Sequence, residues 1–294
     1  MREITIPEQL KRDLPHIVRT FATARNLANA QLQKQLRMHL MRHAVWASFI
    51  NENFRGISLE PYHIRAGLGI GADDATARSV LVGLALCIEP ASYVPPYRIE
   101  GLAVTEVIAA SDATKESHSK NDLPAPPHVA GFFEKTLPHT CYFACIRPHE
   151  RGGGETTVAN LDMILKKAPS TLIQTWKTKT YYLRTSKAMG NSVKPFRLLQ
   201  EINGLPFFRY RKEYTEKFAD DPSLVALEQF MTDSHNHYRV RLASDEILVH
   251  WNGAPHSRLP QIGPTPEDVS GRRKLIRCRT RPYDPAWNNY FASG

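Results

Sequence analysis

The sequence predicts a mainly β fold with packing helices, and three observations carry that prediction. From about residue 97 the chain becomes a succession of short apolar or alternating segments separated by Pro, Gly and Asp. Residues 9–48 instead repeat apolar side chains at helical spacing, which places a helical layer at the N-terminus. The composition, 42% hydrophobic and 23% charged over 294 residues, is that of an ordinary globular chain long enough to bury one sizeable core.

In the N-terminal layer Leu10, Leu14, Ile17, Phe21, Leu27, Leu32 and Leu36 mark the buried stripe, with Arg, Lys and Gln between them. Pro15 is expected to start or end a helical piece, because it has no N–H to continue the ladder. The segment Gly67-Leu68-Gly69-Ile70-Gly71 lacks the last glycine of a dinucleotide fingerprint and follows no strand, so it reads as a loop. Residues 75–87, ATARSVLVGLALC, are apolar enough to be buried, and periodicity leaves helix and strand both open. Residues 98–107 read as a strand with a turn, and 141–146, 238–242 and 246–251 as strands. Residues 274–280 read as a late strand with basic side chains on one face. Helices are expected at 160–167 and 221–232, the second opened by Asp221-Pro222.

Lys and Arg number 38 against 29 Asp and Glu, a formal charge of +9. The most basic run is only Arg272-Arg273-Lys274 and the other cations are dispersed, which argues against a nucleic-acid face; an anionic small substrate accounts for the balance equally well. Cys87, Cys141, Cys145 and Cys278 have neither zinc-site nor disulfide-framework spacing. No run approaches ~18 apolar residues, so no membrane span is expected. The N-terminus carries acids and no apolar core, which makes a cytoplasmic protein the expectation.

Chemistry concentrates in a few segments. Pro126-Pro127-His128-Val129-Ala130-Gly131 is followed by Pro138, by the strand ending at Cys145 and by the glycine-rich turn Gly153-Gly154-Glu155-Thr156. More than a hundred residues beyond His128 come His256-Ser257-Arg258 and then Arg273 and Arg277. Neutral imidazoles suit iron(II), while an arginine and a hydroxyl suit a carboxylate. Taken singly, each histidine is one of 12 and would pass for a loop residue.

In order and spacing these segments resemble the taurine dioxygenase and clavaminate synthase superfamily of iron(II)- and 2-oxoglutarate-dependent oxygenases. Ser117, Ser119 and Leu123 also stand where that family approaches its metal strand. The resemblance spans residues 78–283 and implies a double-stranded β-helix, a jelly-roll of cupin type, within a single domain 1–294. Residues 1–75 would be the mostly helical layer, and about 165–235 a lid or insert. It implies His128 and His256 as metal ligands, and Thr156 with Arg273 or Arg277 as the 2-oxoglutarate anchors. Arg273 is the first choice for the distal carboxylate.

The departure from the family is Ala130, which stands where a carboxylate should complete the facial triad. The resemblance to members with His-x-Ala implies a halogenase, in which chloride or bromide binds iron beside Ala130 and O2 and 2-oxoglutarate drive C–H chlorination. The alternatives are a hydroxylase with an unusual ligand set and a non-catalytic binding protein on the same fold. Glu134 lies six residues beyond His128, about 20 Å along a strand at ~3.3 Å per residue, and reaches the metal only if the chain folds back. Asp122 has the same difficulty upstream. For a small anionic substrate, such as a free nucleotide, Arg184, Arg197 and Arg209 are the candidate contacts. Presentation by a separate carrier protein stays open, as does the oligomeric state.

Overall fold

Apolar side chains on both faces of one six-stranded sheet organise the molecule. The computed structural model describes residues 1–22, 27–65, 73–97, 101–108, 124–134, 136–149, 151–185, 192–262 and 271–289. The chain begins with β1 (Arg2–Thr5), α1 (Glu8–Ala22), α2 (Ala30–Arg42), α3 (Ala44–Asn53), β2 (Tyr62–Arg65) and α4 (Asp74–Ile88). Pro15 lies inside α1 rather than at an end. The ladder bond it removes is offset by Leu10, Leu14 and Val18, all fully buried in the cluster that α1 shares with α4. Residues 75–87 fall in α4, a helix buried almost all round and capped by the Asp73 carboxylate, which accepts from the backbone N–H of Ala75 and Thr76.

The sheets are built next from β3 (Ser92–Tyr93), β4 (Thr105–Ile108), β5 (Ala125–His128), β6 (Thr140–Arg147) and β7 (Thr156–Ala159). Of the expected strand over 98–107, residues 98–100 lie outside the described residues and the strand that forms is β4; Gly101 at φ +66° donates back to the Tyr97 carbonyl and turns the chain first. Then come α5 (Leu161–Lys167), α6 (Ser170–Thr178), β8 (Thr180–Arg184), β9 (Val193–Arg197), β10 (Leu199–Ile202) and β11 (Leu205–Phe208). The last two form a hairpin on Asn203-Gly204, both at positive φ. The chain closes with α7 (Pro222–Thr232), β12 (His237–Val240), β13 (Ile247–Trp251), β14 (His256–Arg258), β15 (Lys274–Arg279), β16 (Arg281–Pro282) and α8 (Pro285–Asn289).

The larger sheet has the order β1-β2-β13-β6-β15-β4 and the smaller β12-β7-β14-β5. Period-two alternation sorts the larger sheet's side chains. Tyr142, Ala144, Val249, Ile276 and Cys278 join the helices α1–α4 in one core. Cys141, Phe143, Cys145, Leu248 and Leu275 point the other way, into a second core shared with Val158 and Val240 of the smaller sheet. Two mainly antiparallel sheets enclosing a core, with helices packed outside, are the jelly-roll architecture the sequence implied. The glycine segment 67–71 lies outside the described residues, but β2 precedes it, so the expectation that it follows no strand fails: the strand's pairing with β1 and β13 is a tertiary contact. Among those described, no helix is long and apolar enough to cross a membrane.

Candidate active site

His128 ends β5 and His256 begins β14, and the strand register sets them directly opposite one another. Their ring centroids are 4.5 Å apart. His128 Nδ1 lies 2.8 Å from the Pro126 carbonyl; a carbonyl only accepts, so Nδ1 carries the proton and Nε2 the lone pair. His256 is buried, and burial, then the neighbouring His128, His250, Arg277 and Arg211, hold its pKa well below the ordinary value. Two imidazoles facing one another are donors of the kind a divalent metal takes.

Ala130 follows two residues after His128, buried, with its N–H donating to Asn252 Oδ1 at 2.8 Å. The Asn252 amide returns hydrogen bonds to the carbonyls of Ala130 and Pro138. The strand stops at His128 and does not run on to 133: Gly131 sits at φ +67° and its carbonyl accepts from the Glu134 N–H at 2.6 Å. A Cβ on Gly131 would lie 2.7 Å from Pro138 Cδ and 2.9 Å from Glu134 Oε1, so the chain does fold back. The carboxylate it returns is nevertheless committed elsewhere, to Arg279 Nη1 at 2.9 Å and to Arg281. Asp122, Ser117, Ser119 and Leu123 lie outside the described residues. Among those described, no three His, Cys, Asp or Glu side chains are gathered to hold a metal ion. The two histidines are imidazole donors such as a divalent metal takes.

The anchor residues converge on the same interior. Pairing of β14 with β7 sets His256 opposite Val158 and Arg258 opposite Thr156, so Thr156 and Arg258 share the face of His256. Arg273 is buried, its Cδ 3.5 Å from where a Cβ on Gly154 would be, and no acid among the described residues pairs with it. Burial, offset in part by Cys145 and reinforced by Arg258, pulls its pKa down to about 10. Arg277, half-buried, lies 5.6 Å over the Tyr97 ring and acts electrostatically on His256. The basic side chains of β15 are not all on one face: Arg277 and Arg279 point inward, whereas Lys274 turns out to Asp74.

Of the three arginines expected near substrate, Arg209 is buried against Phe132, whose carbonyl accepts from its Nη2 at 3.1 Å. Its neighbour Tyr210 accepts from the Val129 N–H, and Arg211 bridges His128 across the strands, so the segment 209–211 lies alongside the metal strand. Arg197 is half-buried at the end of the β8–β9 hairpin, and Arg184 is exposed in an ion pair with Glu216. Sequence reasoning passed over His250. The signal for it was its place in the apolar strand 246–251, two residues from the inward Leu248.

No family model and no curated protein sequence matches the chain. Solved structures do. An asparagine oxygenase in complex with Fe(II), 2S,3S-3-hydroxyasparagine and succinate superposes with a TM-score of 0.72 at 14% identity, covering 95% of this chain and 93% of that one. The non-heme iron oxygenase OrfP in complex with Fe, succinate and (3S)-hydroxy-L-Arg gives a TM-score of 0.70 at 12% identity, covering 95% and 94%. The PvcB protein of Pseudomonas aeruginosa gives 0.55 at 16% identity over 79% and 77%. The chain has the fold of the non-heme iron oxygenases. This likeness overturns the halogenase reading: the two complexes hold hydroxylated products beside succinate. An alanine in place of a ligand opens a coordination position, but nothing in that substitution selects chloride or bromide to fill it.

Proposed function

We propose that the chain is an iron(II)- and 2-oxoglutarate-dependent oxygenase that hydroxylates a small anionic molecule, with His128 and His256 as metal ligands and none from Ala130. The observation that carries this reading is the register that faces His128 with His256 and sets Thr156 and Arg258 on the same buried face. Bound iron would supply dioxygen activation coupled to decarboxylation of 2-oxoglutarate to succinate and CO2, with one oxygen atom passing to a substrate C–H bond. Arg273 and Thr156 would hold the distal carboxylate of 2-oxoglutarate, since a buried arginine without an acid partner meets a carboxylate at little further desolvation cost. Arg277, beside His256, would steady the proximal carboxylate or the substrate. Arg209 would attract the substrate's negative charge; Arg184 and Arg197 would act from farther out. The amino-acid products in the two similar structures support a substrate of about that size.

The absence of a third donor among the described residues favours one other reading, a binding protein that has lost turnover. One experiment separates them. The protein is loaded anaerobically with iron(II) and 2-oxoglutarate, exposed to air with and without candidate substrates, and succinate is quantified. Iron-dependent succinate that disappears in His256→Ala supports the oxygenase; succinate no higher than in the metal-free control establishes the binding protein.

A further inference from the structure

Gln261 follows the end of β14, and its backbone forms a bridge to Gly153. On either side of it the Gly154 N–H donates to the Pro260 carbonyl at 2.9 Å and the Ile262 N–H to the Gly152 carbonyl at 3.1 Å. The glycine turn before β7 therefore fixes where this residue starts. Its side chain runs beside Arg273: a Cβ on Gly154 would lie 3.3 Å from Gln261 Cγ and 3.5 Å from Arg273 Cδ. Both side chains thus cover one point, and a glycine at φ +64° leaves that point clear.

Both ends of the Gln261 amide, Oε1 and Nε2, are shielded from solvent and make no hydrogen bond among the described residues. Shielded polar groups without a partner are rare in folded chains and call for an occupant. Arg273 beside it is buried, and no acid among the described residues pairs with it. One group answers both needs. An amide NH2 donates, a guanidinium donates and carries positive charge, and a carboxylate accepts from the two together. Because neither atom of the amide is engaged, it can turn its NH2 toward that carboxylate without breaking a bond. We propose that Gln261 is a binding residue for the 2-oxo acid, donating from Nε2 to the distal carboxylate that Arg273 pairs with.

This inference rests on the proposed function, which gives Arg273 that carboxylate, and it is tested by binding rather than by turnover. The full chain is loaded anaerobically with manganese(II) in place of iron and titrated calorimetrically with 2-oxoglutarate. Gln261→Leu keeps the volume without the amide, and Gln261→Glu supplies a carboxylate that would take Arg273 for itself. Each should raise the dissociation constant by roughly tenfold or more, the worth of a hydrogen bond to a charged group. Ligand-free Gln261→Leu should melt at or above the wild-type temperature, since it removes an unpartnered amide; a glutamine with only a structural role would lower that temperature when replaced. A rise of less than tenfold in either variant, or a lower melting temperature in Gln261→Leu, overturns the assignment while leaving the oxygenase reading in place. Wild-type protein that binds no 2-oxoglutarate overturns both.

Discussion

Asn252 is completely buried and spends its side-chain amide on the backbone of Ala130 and Pro138, so it holds the metal strand where the strand leaves the sheet. Asn252→Ala would leave three backbone groups without partners, and we expect a loss of ~2–4 kcal/mol in urea unfolding together with weaker metal binding. Arg273 yields a sharper test. Removing a guanidinium that pairs with a buried carboxylate costs ~2–5 kcal/mol, so Arg273→Gln should raise the 2-oxoglutarate dissociation constant by ~30-fold or more. An affinity within threefold of wild type would remove Arg273 as the anchor. At this scale the sequence order points to His128, His256, Thr156 and Arg273 as the proposed site. It could not reveal His250, because the burial of its ring and the orphaned Nε2 arise only when β13 pairs with β6.

Helix α4 separates the sheet from the N-terminal helices, and its first turn depends on Asp73. The Thr76 hydroxyl foremost, with the Ala75 and Thr76 N–H groups and against a small burial penalty, holds that carboxyl below its ordinary value of 3.8. A depressed pKa stabilises the fold above that value and loses its effect as pH falls through the folded-state value. Asp73→Ala should therefore cost ~1 kcal/mol at neutral pH, with the difference from wild type vanishing in acid below about 3.8. In the turn before β7, Gly153 at φ +74° has no room for a side chain: a Cβ would lie 2.6 Å from the Pro260 carbonyl oxygen. Gly153→Ala should destabilise by at least ~1 kcal/mol in thermal or urea unfolding, because both the conformation and the contact oppose it. Short apolar runs, such as β6 and β13, were legible as strands in the sequence, whereas the β10–β11 hairpin was not. Its Asn203-Gly204 turn is a recognisable signal, but it lay within a span rich in basic and aromatic residues that drew attention to substrate contacts. The end of β5 at His128 was also hidden, since only the fit of Gly131 against Pro138 shows why the chain turns there.

Across the whole molecule the larger sheet carries two cores, one against helices and one facing the histidines, so the site is built into the interior of the fold. The alternation that makes this possible is visible in β15, whose Ile276 and Cys278 face the helices while Leu275 and Arg277 face the site. The sequence conveyed the jelly-roll through the order of its motifs; the pairing of strands far apart in the chain depends on tertiary packing. The charge of +9 acquires a partial explanation in Arg258 and Arg273, which are buried around the proposed anion site with the half-buried Arg277, while Arg184 is simply a surface ion pair. Joint binding of metal and 2-oxoglutarate by one buried site is the property on which the proposed function most directly depends. Anaerobic titration of the iron(II)-loaded protein with 2-oxoglutarate, followed by visible absorption, should give a new band that saturates at one equivalent per chain and is lost in His256→Ala. No band in the wild type, or the same band in the variant, would contradict it.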